Sequence, residues 1–296
     1  MRRVQDRRAI AEVALAAAVF STSAPLAKIA VGLSPLAVAS LRTGLAAAIL
    51  ALVLGRDLGR AARAITPRDR ARIAGAGLLL ALHFALWLLG LSRTSVAAAS
   101  ALVATQPLAI LVAASASLGA RPAAREIVGV VAAAGGAAIV ASGAGGADHT
   151  LGGDALVLGA VVVYAAYVVV TRRLRDATPA LPYAALVYGG ASLALAPLAI
   201  ATSIGHPPPT PRSWLAVVGL AVLPTLVGHT LAQRAARGAS PLAVAMISPG
   251  ETVGSIAIGA LVLGEHPGVR ELAGASIVVL GLVTAVTTRR AARPAP

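Results

Sequence analysis

Apolar stretches of at least eighteen residues recur from one end of the chain to the other, and few charged residues interrupt them. A helix of that length crosses a hydrocarbon core of about 30 Å. A soluble domain of 296 residues would need more polar surface than 58% hydrophobic and 12% charged residues supply. The sequence therefore predicts an all-α integral membrane protein in contact with the lipid bilayer.

Connections rich in glycine, proline or arginine separate ten such segments. The start of the chain, basic and then apolar, resembles a signal peptide, but Glu12 and the many later spans favour a retained first helix. The ten predicted transmembrane helices cover residues 10–31, 35–54, 71–91, 95–118, 125–143, 152–172, 181–203, 212–233, 240–262 and 270–288.

The arginines divide unevenly between the two sides of these spans. With the N-terminus in the cytoplasm, twenty arginines fall on the cytoplasmic side, and only Arg93, Arg212 and Arg270 fall on the other. Basic residues favour the cytoplasmic side, so the count predicts an even number of spans with both termini in the cytoplasm. The net charge of +14 then suits an anionic membrane face, and no nucleic-acid partner is expected. The preference for arginine over lysine, with abundant alanine and glycine, indicates a GC-rich bacterium and hence a bacterial inner membrane.

The chain repeats itself at an offset of 145 residues. The stretch "LGARPAAREI" at 118–127 answers "LGEHPGVREL" at 263–272, and residues 94–129 lie on 239–274 without a gap. Two alanine-rich helices resemble each other by composition alone, but matching turn residues at matching places argue against that explanation. The halves 1–147 and 148–296 hold five spans each, and because five is odd the second half crosses the membrane in the opposite sense. The sequence thus predicts an inverted repeat, the construction typical of secondary transporters.

The segments "TSVAAASALVATQPLAILVAASASLGARPAAREIVG" and "ASPLAVAMISPGETVGSIAIGALVLGEHPGVRELAG" resemble the drug/metabolite transporter superfamily, specifically its EamA-type exporters. Arg42 in "SPLAVASLRTGLAAAIL" stands at the usual arginine of that family's second helix. Two positions depart from the pattern: Ala120 replaces a glutamate and Thr252 replaces a proline. The resemblance implies two halves around a central cavity, with the fifth and tenth helices at the periphery. It also implies export of amino acids, drugs or other metabolites, and the stretch "HFALWLLGLSRTS" looks closest to exporters of aromatic and neutral amino acids.

Polar side chains within the apolar segments indicate where a substrate binds, because a polar group in lipid is costly unless it faces a cavity or a partner. His83 and Trp87 share one face of the third predicted helix and suit a solute with an apolar body and a polar head. The alternative is a histidine bonded to a neighbouring carbonyl, with Trp87 as an interfacial anchor. His229 lies at the corresponding depth of the eighth helix, in a polar stripe with Thr225 and Gln233.

Gln106 and Glu251 occupy equivalent positions of the two halves, each beside a helix-loosening proline. Glu251 could bind an ammonium group, carry a proton, or pair with Arg42, His229 or Lys28. The predicted substrate-binding residues are Thr22, His83, Trp87, Gln106, Tyr164, Tyr167, His229, Ser248 and Glu251.

The sequence carries no cysteine and no nucleotide-binding, hydrolase or metal-binding motif, so no cofactor, no metal and no enzymatic activity are expected. Energy must then come from the gradient of the substrate or of protons. These features predict a secondary transporter that exports small amphipathic metabolites, foremost amino acids. The alternative is a broad-specificity efflux transporter for drugs or cations. An intramembrane enzyme and a channel fit less well, because no nucleophile–base pair is visible and a channel needs no inverted half-repeat. The oligomeric state is left open.

Reporter fusions test the predicted topology. A fusion after Arg290 should report the cytoplasm, whereas fusions within 144–150 should report the periplasm, because five spans separate the two sites from each other. The reverse pattern would contradict the predicted orientation, and equal locations for the two sites would contradict the inverted repeat.

Overall fold

The computed structural model describes residues 2–118, 124–145, 148–172, 174, 179–232 and 247–287, and most of these residues are helical. The α-helices are α1 (Arg2–Phe20), α2 (Ser23–Ile29), α3 (Pro35–Leu54), α4 (Arg56–Ala64), α5 (Pro67–Leu91), α6 (Val96–Val103), α7 (Gln106–Leu118), α8 (Ala124–Ala141), α9 (Leu151–Arg172), α10 (Ala180–Ser203), α11 (Pro211–Leu220), α12 (Ile247–Ile258) and α13 (Val269–Thr287). Two π-helical segments, Ala221–Gly228 and Gly259–Leu263, continue α11 and α12.

Seven membrane-spanning candidates lie among the described residues, judged by length and apolar composition. They are Ala11–Ile29, Pro35–Leu54, Pro67–Leu91, Val96–Ala113, Leu151–Thr171, Ala180–Ser203 and Pro211–Ala232. The shorter apolar helices Glu126–Ala141 and Gly250–Leu263 fall in two more of the ten predicted segments. The protein is therefore a multi-pass membrane protein, and the count of ten spans stays a prediction.

The first and fourth predicted spans are not continuous helices, contrary to the sequence-based expectation. The first breaks at Ser21–Thr22 and the fourth at Ala104–Thr105. At each break a threonine hydroxyl donates to the carbonyl three residues earlier, Thr22 to Val19 (2.7 Å) and Thr105 to Leu102 (2.6 Å). Each of these carbonyls also accepts the backbone N–H of the same threonine, at 3.2 and 3.1 Å, so both donors of the threonine bond the end of the preceding helix.

Prolines explain part of the irregularity in the first and eighth predicted spans. Pro25 has no N–H for the carbonyl of Ser21, and the hydroxyl of Ser255 on α12 donates to that oxygen at 3.0 Å. Pro224 likewise cannot donate to the carbonyl of Leu220, and the hydroxyl of Thr225 does so at 2.7 Å within the π-helical segment. Each proline is thus compensated by a nearby hydroxyl.

The connection at 55–66, which the sequence places between the second and third predicted spans, contains α4. None of its side chains is buried, and Asp57 and Arg60 form an ion pair at 2.7 Å on its surface. The other segments begin and end within a few residues of the prediction, except that residues 240–246 lie outside the described part of the chain.

Helices of the two halves pack against each other in a reciprocal pattern. The helix α3 packs on α10 and α8 on α13, while the α5–α9 contact is matched by that of α1 with the π-helical segment 221–228. Between α3 and α10, Ser40 donates to the carbonyl of Ser192 (3.1 Å) and Ser192 donates to the carbonyl of Ser40 (2.9 Å). The most extensive helix contacts of each half are therefore with helices of the opposite half.

Glycines permit a close backbone contact between α8 and α13. A Cβ on Gly136 would lie 2.8 Å from the carbonyl oxygen of Gly274, and one on Gly274 would lie 2.6 Å from that of Gly136. A Cβ on Gly281 would lie 3.1 Å from the carbonyl oxygen of Gly129. The offset of 145 relates Gly129 to Gly274 and Gly136 to Gly281. The contact of Gly136 with Gly274 is therefore equivalent, under the repeat, to the contact of Gly281 with Gly129.

The crossing predicts opposite effects for two neighbouring glycines. Gly136→Ala should destabilise the protein by about 1–3 kcal/mol, because the new methyl group meets the backbone of α13. Gly135→Ala, with nothing within 4 Å of its Cβ, should be neutral or stabilising by up to about 1 kcal/mol. Melting temperatures of the two purified variants in detergent provide the test. Equal melting temperatures would mean that the crossing is not rigid.

Candidate functional site

A cavity of about 280 Å³ lies between helices of both halves. Among the described residues, α8 and α13 contribute nothing to its lining, which suits the peripheral place expected for the fifth and tenth helices, and α10 in the seventh predicted span contributes nothing either. The lining residues are Phe20, Ser23, Arg42, His83, Phe84, Trp87, Val103, Gln106, Pro107, Ile110, Tyr164, Pro224, His229, Ala232, Ile247, Ser248 and Glu251.

Seven of the nine predicted site residues meet in this one cavity. Their role in binding substrate stays a prediction, but residues up to 168 positions apart in the chain share the same space. The seven are His83, Trp87, Gln106, Tyr164, His229, Ser248 and Glu251.

Thr22 and Tyr167, the other two predicted site residues, are not part of the cavity lining. The Thr22 hydroxyl turns back to the carbonyl of Val19, and its neighbour Ser23 faces the cavity instead. Tyr167 stacks behind Tyr164, with ring centroids 5.7 Å apart, and packs on the apolar core. A helix break and the rotation of α9 decide these placements, and periodicity alone reports neither.

His83 combines the two roles that its sequence context left open. Its Nδ1 atom lies 2.9 Å from the carbonyl oxygen of Ala160 on α9, so Nδ1 carries the proton and bridges α5 to α9. The same ring contacts Tyr164, with centroids 4.9 Å apart, and faces the cavity. The hydrogen bond therefore orients the imidazole and leaves Nε2 as an acceptor in the neutral ring.

Aromatic side chains form much of the apolar wall. Trp87 is buried, which excludes the role of an interfacial anchor for it in this structure. Phe20 meets His229 edge to face at 5.2 Å, and Phe84 lies beside His83 at 5.0 Å. Flat rings of this kind bind apolar and aromatic groups with little loss of side-chain entropy.

Arg42 is the main lining residue that the sequence did not assign to the site. It is 2% exposed on α3, and its Nε and Nη2 atoms donate to the Thr225 hydroxyl at 3.2 and 2.9 Å. The guanidinium lies 4.4 Å from the ring centroid of Phe84 and 5.7 Å from that of Trp87. The position of Arg42 within a predicted span could have indicated a role in the site, because an arginine inside the membrane requires a polar partner. That partner is the neutral hydroxyl of Thr225.

Glu251 extends from α12 into the cavity and is partly buried. Within the described residues, no side chain gives its carboxylate a hydrogen bond or a direct ion pair. Arg42 is close enough for the two charges to interact. Lys28, one of the partners considered for Glu251, instead pairs with Glu265 at 3.7 Å and donates to the carbonyl of Thr94 at 2.9 Å.

Glu265 belongs to a polar network at one end of the bundle, the predicted periplasmic end. Its Oε2 accepts the backbone N–H of Val96 at 2.8 Å, at the start of α6, where a carboxylate also suits the positive end of the helix dipole. The Glu265 carboxylate also pairs with Lys28, which lies in the last turn of α2. The turn between α12 and α13 is thereby tied to the first half of the chain.

His149 extends this network between two carboxylates. Its Nε2 lies 2.9 Å from Asp154 and its Nδ1 lies 3.1 Å from Glu271, and both carboxylates are buried. Asp154 also accepts the hydroxyl of Thr94 at 2.7 Å, and Glu271 accepts that of Ser95. No set of three or more potential ligands within the described ranges has the arrangement of a metal site.

The two tryptophans of the chain provide a test of the cavity. In a Trp214→Phe variant, Trp87 is the remaining indole, and a solute in the cavity should shield it from quenching by acrylamide. The reverse variant, Trp87→Phe, leaves Trp214, which is 46% exposed and distant from the lining, and its quenching should not change. A solute that is transported but shields neither indole would place the binding site elsewhere.

Comparisons with known proteins agree with the fold. A solved structure described as "Crystal structure of protein" superimposes with a TM-score of 0.65 at 19% identity, covering 94% of this chain and 96% of its own. No curated protein matches the chain. The sequence profile of the EamA-like transporter family matches twice, at residues 7–142 and 151–287. The chain thus belongs to the EamA-like transporter family, whose members are membrane transporters of small molecules rather than enzymes.

Proposed function

We propose that this protein is a secondary transporter of the bacterial inner membrane that exports small amphipathic metabolites, foremost aromatic and neutral amino acids. The observation that carries the proposal is the cavity between the two halves, in which aromatic rings and polar side chains face the same space. Binding sites for small solutes are mostly apolar with a few placed polar groups, and this lining fits that description.

The size of the cavity favours a metabolite over a large drug. Its volume of about 280 Å³ is just below the range typical of ligand pockets, roughly 300–1,000 Å³. The alternative, efflux of lipophilic cations, is favoured by Glu251, the one carboxylate among the described lining residues. Arg42 in the same lining opposes that alternative, because a buried guanidinium repels a cation that carries no balancing anion.

Transport by alternating access requires two halves that move against each other around the site. The halves 1–147 and 148–296, in opposite orientation, would be those bodies, and the reciprocal packing of helices supports this division. The network of Lys28, Glu265, His149, Asp154 and Glu271 would close the periplasmic end. The cavity, which reaches Ile110 and Ala232 toward the predicted cytoplasmic ends of their helices, would then load substrate from the cytoplasm.

Glu251 is the residue best placed to couple transport to protons. Its carboxylate faces the cavity and has no direct partner among the described side chains, so it can exchange a proton without the loss of a structural ion pair. Arg42 is already held by Thr225, so removal of Glu251 should leave the fold intact.

Proteoliposomes provide the experiment. A panel of amino acids, nucleosides and lipophilic cations should show transport of phenylalanine or a neutral amino acid, accelerated by a pH gradient. Glu251→Gln should abolish the effect of the pH gradient but permit exchange of substrate down its own gradient, with an unchanged melting temperature. Asp57→Asn removes an exposed carboxylate on α4 and serves as the matched control, for which coupling should persist.

Two outcomes would contradict the proposal. Transport of lipophilic cations without any amino acid would favour the alternative function. Coupled transport at the normal rate by Glu251→Gln would remove Glu251 from the proton pathway.

A further inference from the structure

The guanidinium of Arg42 is only partly satisfied by the protein. Its Nε and one N–H of Nη2 share the hydroxyl of Thr225, at 3.2 and 2.9 Å, and one face lies over the ring of Phe84. Its Nη1 atom is buried and has no hydrogen-bond partner among the residues that the structure describes. Because Arg42 lines the cavity, the edge formed by Nη1 and the second N–H of Nη2 is the part of the fork left for another group.

The way Thr225 is held explains why it orients Arg42 without neutralising it. Pro224 cannot donate to the carbonyl of Leu220, so the Thr225 hydroxyl gives its proton to that oxygen at 2.7 Å. Only its lone pairs are then left for Arg42. Tyr188 donates to the backbone carbonyl of Thr225 at 3.3 Å and supports the same turn. The guanidinium is therefore fixed in position but keeps its full positive charge.

The other charged or titratable groups of the cavity do not bond this edge. His83 uses Nδ1 for Ala160, and His229 packs its ring on Phe20. Glu251 interacts with Arg42 through space but does not bond it directly. A buried cation with two free N–H donors in planar arrangement matches a carboxylate, which accepts two parallel hydrogen bonds from an arginine.

We propose that the free edge of Arg42 binds the carboxylate of the transported solute, so that this transporter selects carboxylate-bearing substrates. The inference rests on the proposed function only in taking the cavity as the transport site. The rings of Phe84 and Trp87 beside the guanidinium then receive the apolar part of the same molecule. An ammonium group on that molecule faces Glu251, so zwitterionic amino acids satisfy both charges of the cavity at once.

Matched ligand pairs test this selection without any change in the site. In the Trp214→Phe protein, binding is measured as the protection of Trp87 fluorescence from quenching by acrylamide. Phenylacetate should bind roughly tenfold to a hundredfold more tightly than phenylacetamide, which has nearly the same shape but no charge. Phenylalanine should likewise bind more tightly than phenylalaninamide. Affinities for acid and amide within twofold of each other would overturn the inference.

Variants assign the preference to Arg42. Arg42→Gln should bring phenylacetate down to the affinity of phenylacetamide, and Arg42→Lys should recover little of it, because an ammonium lacks the planar fork. Thr225→Val, which keeps the charge but removes the hydroxyl that orients it, should also reduce the preference and serves if the Arg42 variants do not fold. Arg60→Gln removes an exposed arginine of α4 and should leave the preference unchanged. A preference that survives in Arg42→Gln, or that is undiminished in Thr225→Val, would overturn the assignment.

The outcomes separate this inference from the proposed function. If phenylacetate binds in preference to its amide but no amino acid is bound or transported, the Arg42 site stands and the amino acid proposal fails. If amino acids are transported without preference for the carboxylate, the function stands and the Arg42 site fails. If none of the four ligands protects Trp87, the cavity takes no carboxylate and the inference fails.

Discussion

In hydrocarbon every backbone carbonyl needs a donor, and much of this structure follows from how that need is met beside prolines. The carbonyl of Leu220, which Pro224 cannot serve, takes the proton of the Thr225 hydroxyl. That bond leaves Thr225 as an acceptor, and Arg42 donates to it twice. A local defect in one helix therefore fixes the position of a buried charge on another. The same logic holds at Pro25, where Ser255 of α12 serves the free carbonyl of Ser21 and ties the first helix to the ninth predicted span.

Close backbone contact holds the halves together where such polar bonds are absent. Without a hydrophobic driving force between helices in lipid, association depends on packing, and small residues permit the closest packing. The glycine crossings of α8 and α13 repeat at equivalent positions of the two halves. The cavity lies away from these crossings, which is consistent with a rigid periphery around a region that changes shape.

The polar network at the predicted periplasmic end contains one bond that the repeat cannot reproduce. Glu265 accepts the N–H of Val96. The offset of 145 relates these residues to Ala120 and Pro241, which have neither a carboxylate nor an N–H. By sequence, the positions that the offset assigns to this bond in the other half cannot form the same bond. In an alternating-access cycle, a step that breaks the bond between Glu265 and Val96 would need energy from the substrate or from protons.

The sequence by itself determined the class of protein, the helical segments within a few residues and the division into two similar parts, because length and hydropathy of a span follow directly from the thickness and chemistry of a bilayer. It also indicated most of the polar residues in the cavity, since a polar group in lipid needs a reason to be there. Only the tertiary structure decided that Thr22 and Tyr167 turn away, that Lys28 pairs with Glu265, and that Arg42 meets Thr225 across 183 residues of sequence. These contacts depend on where helices break and how far each rotates against its neighbours, and those quantities arise from packing between distant segments rather than from the pattern within any one of them.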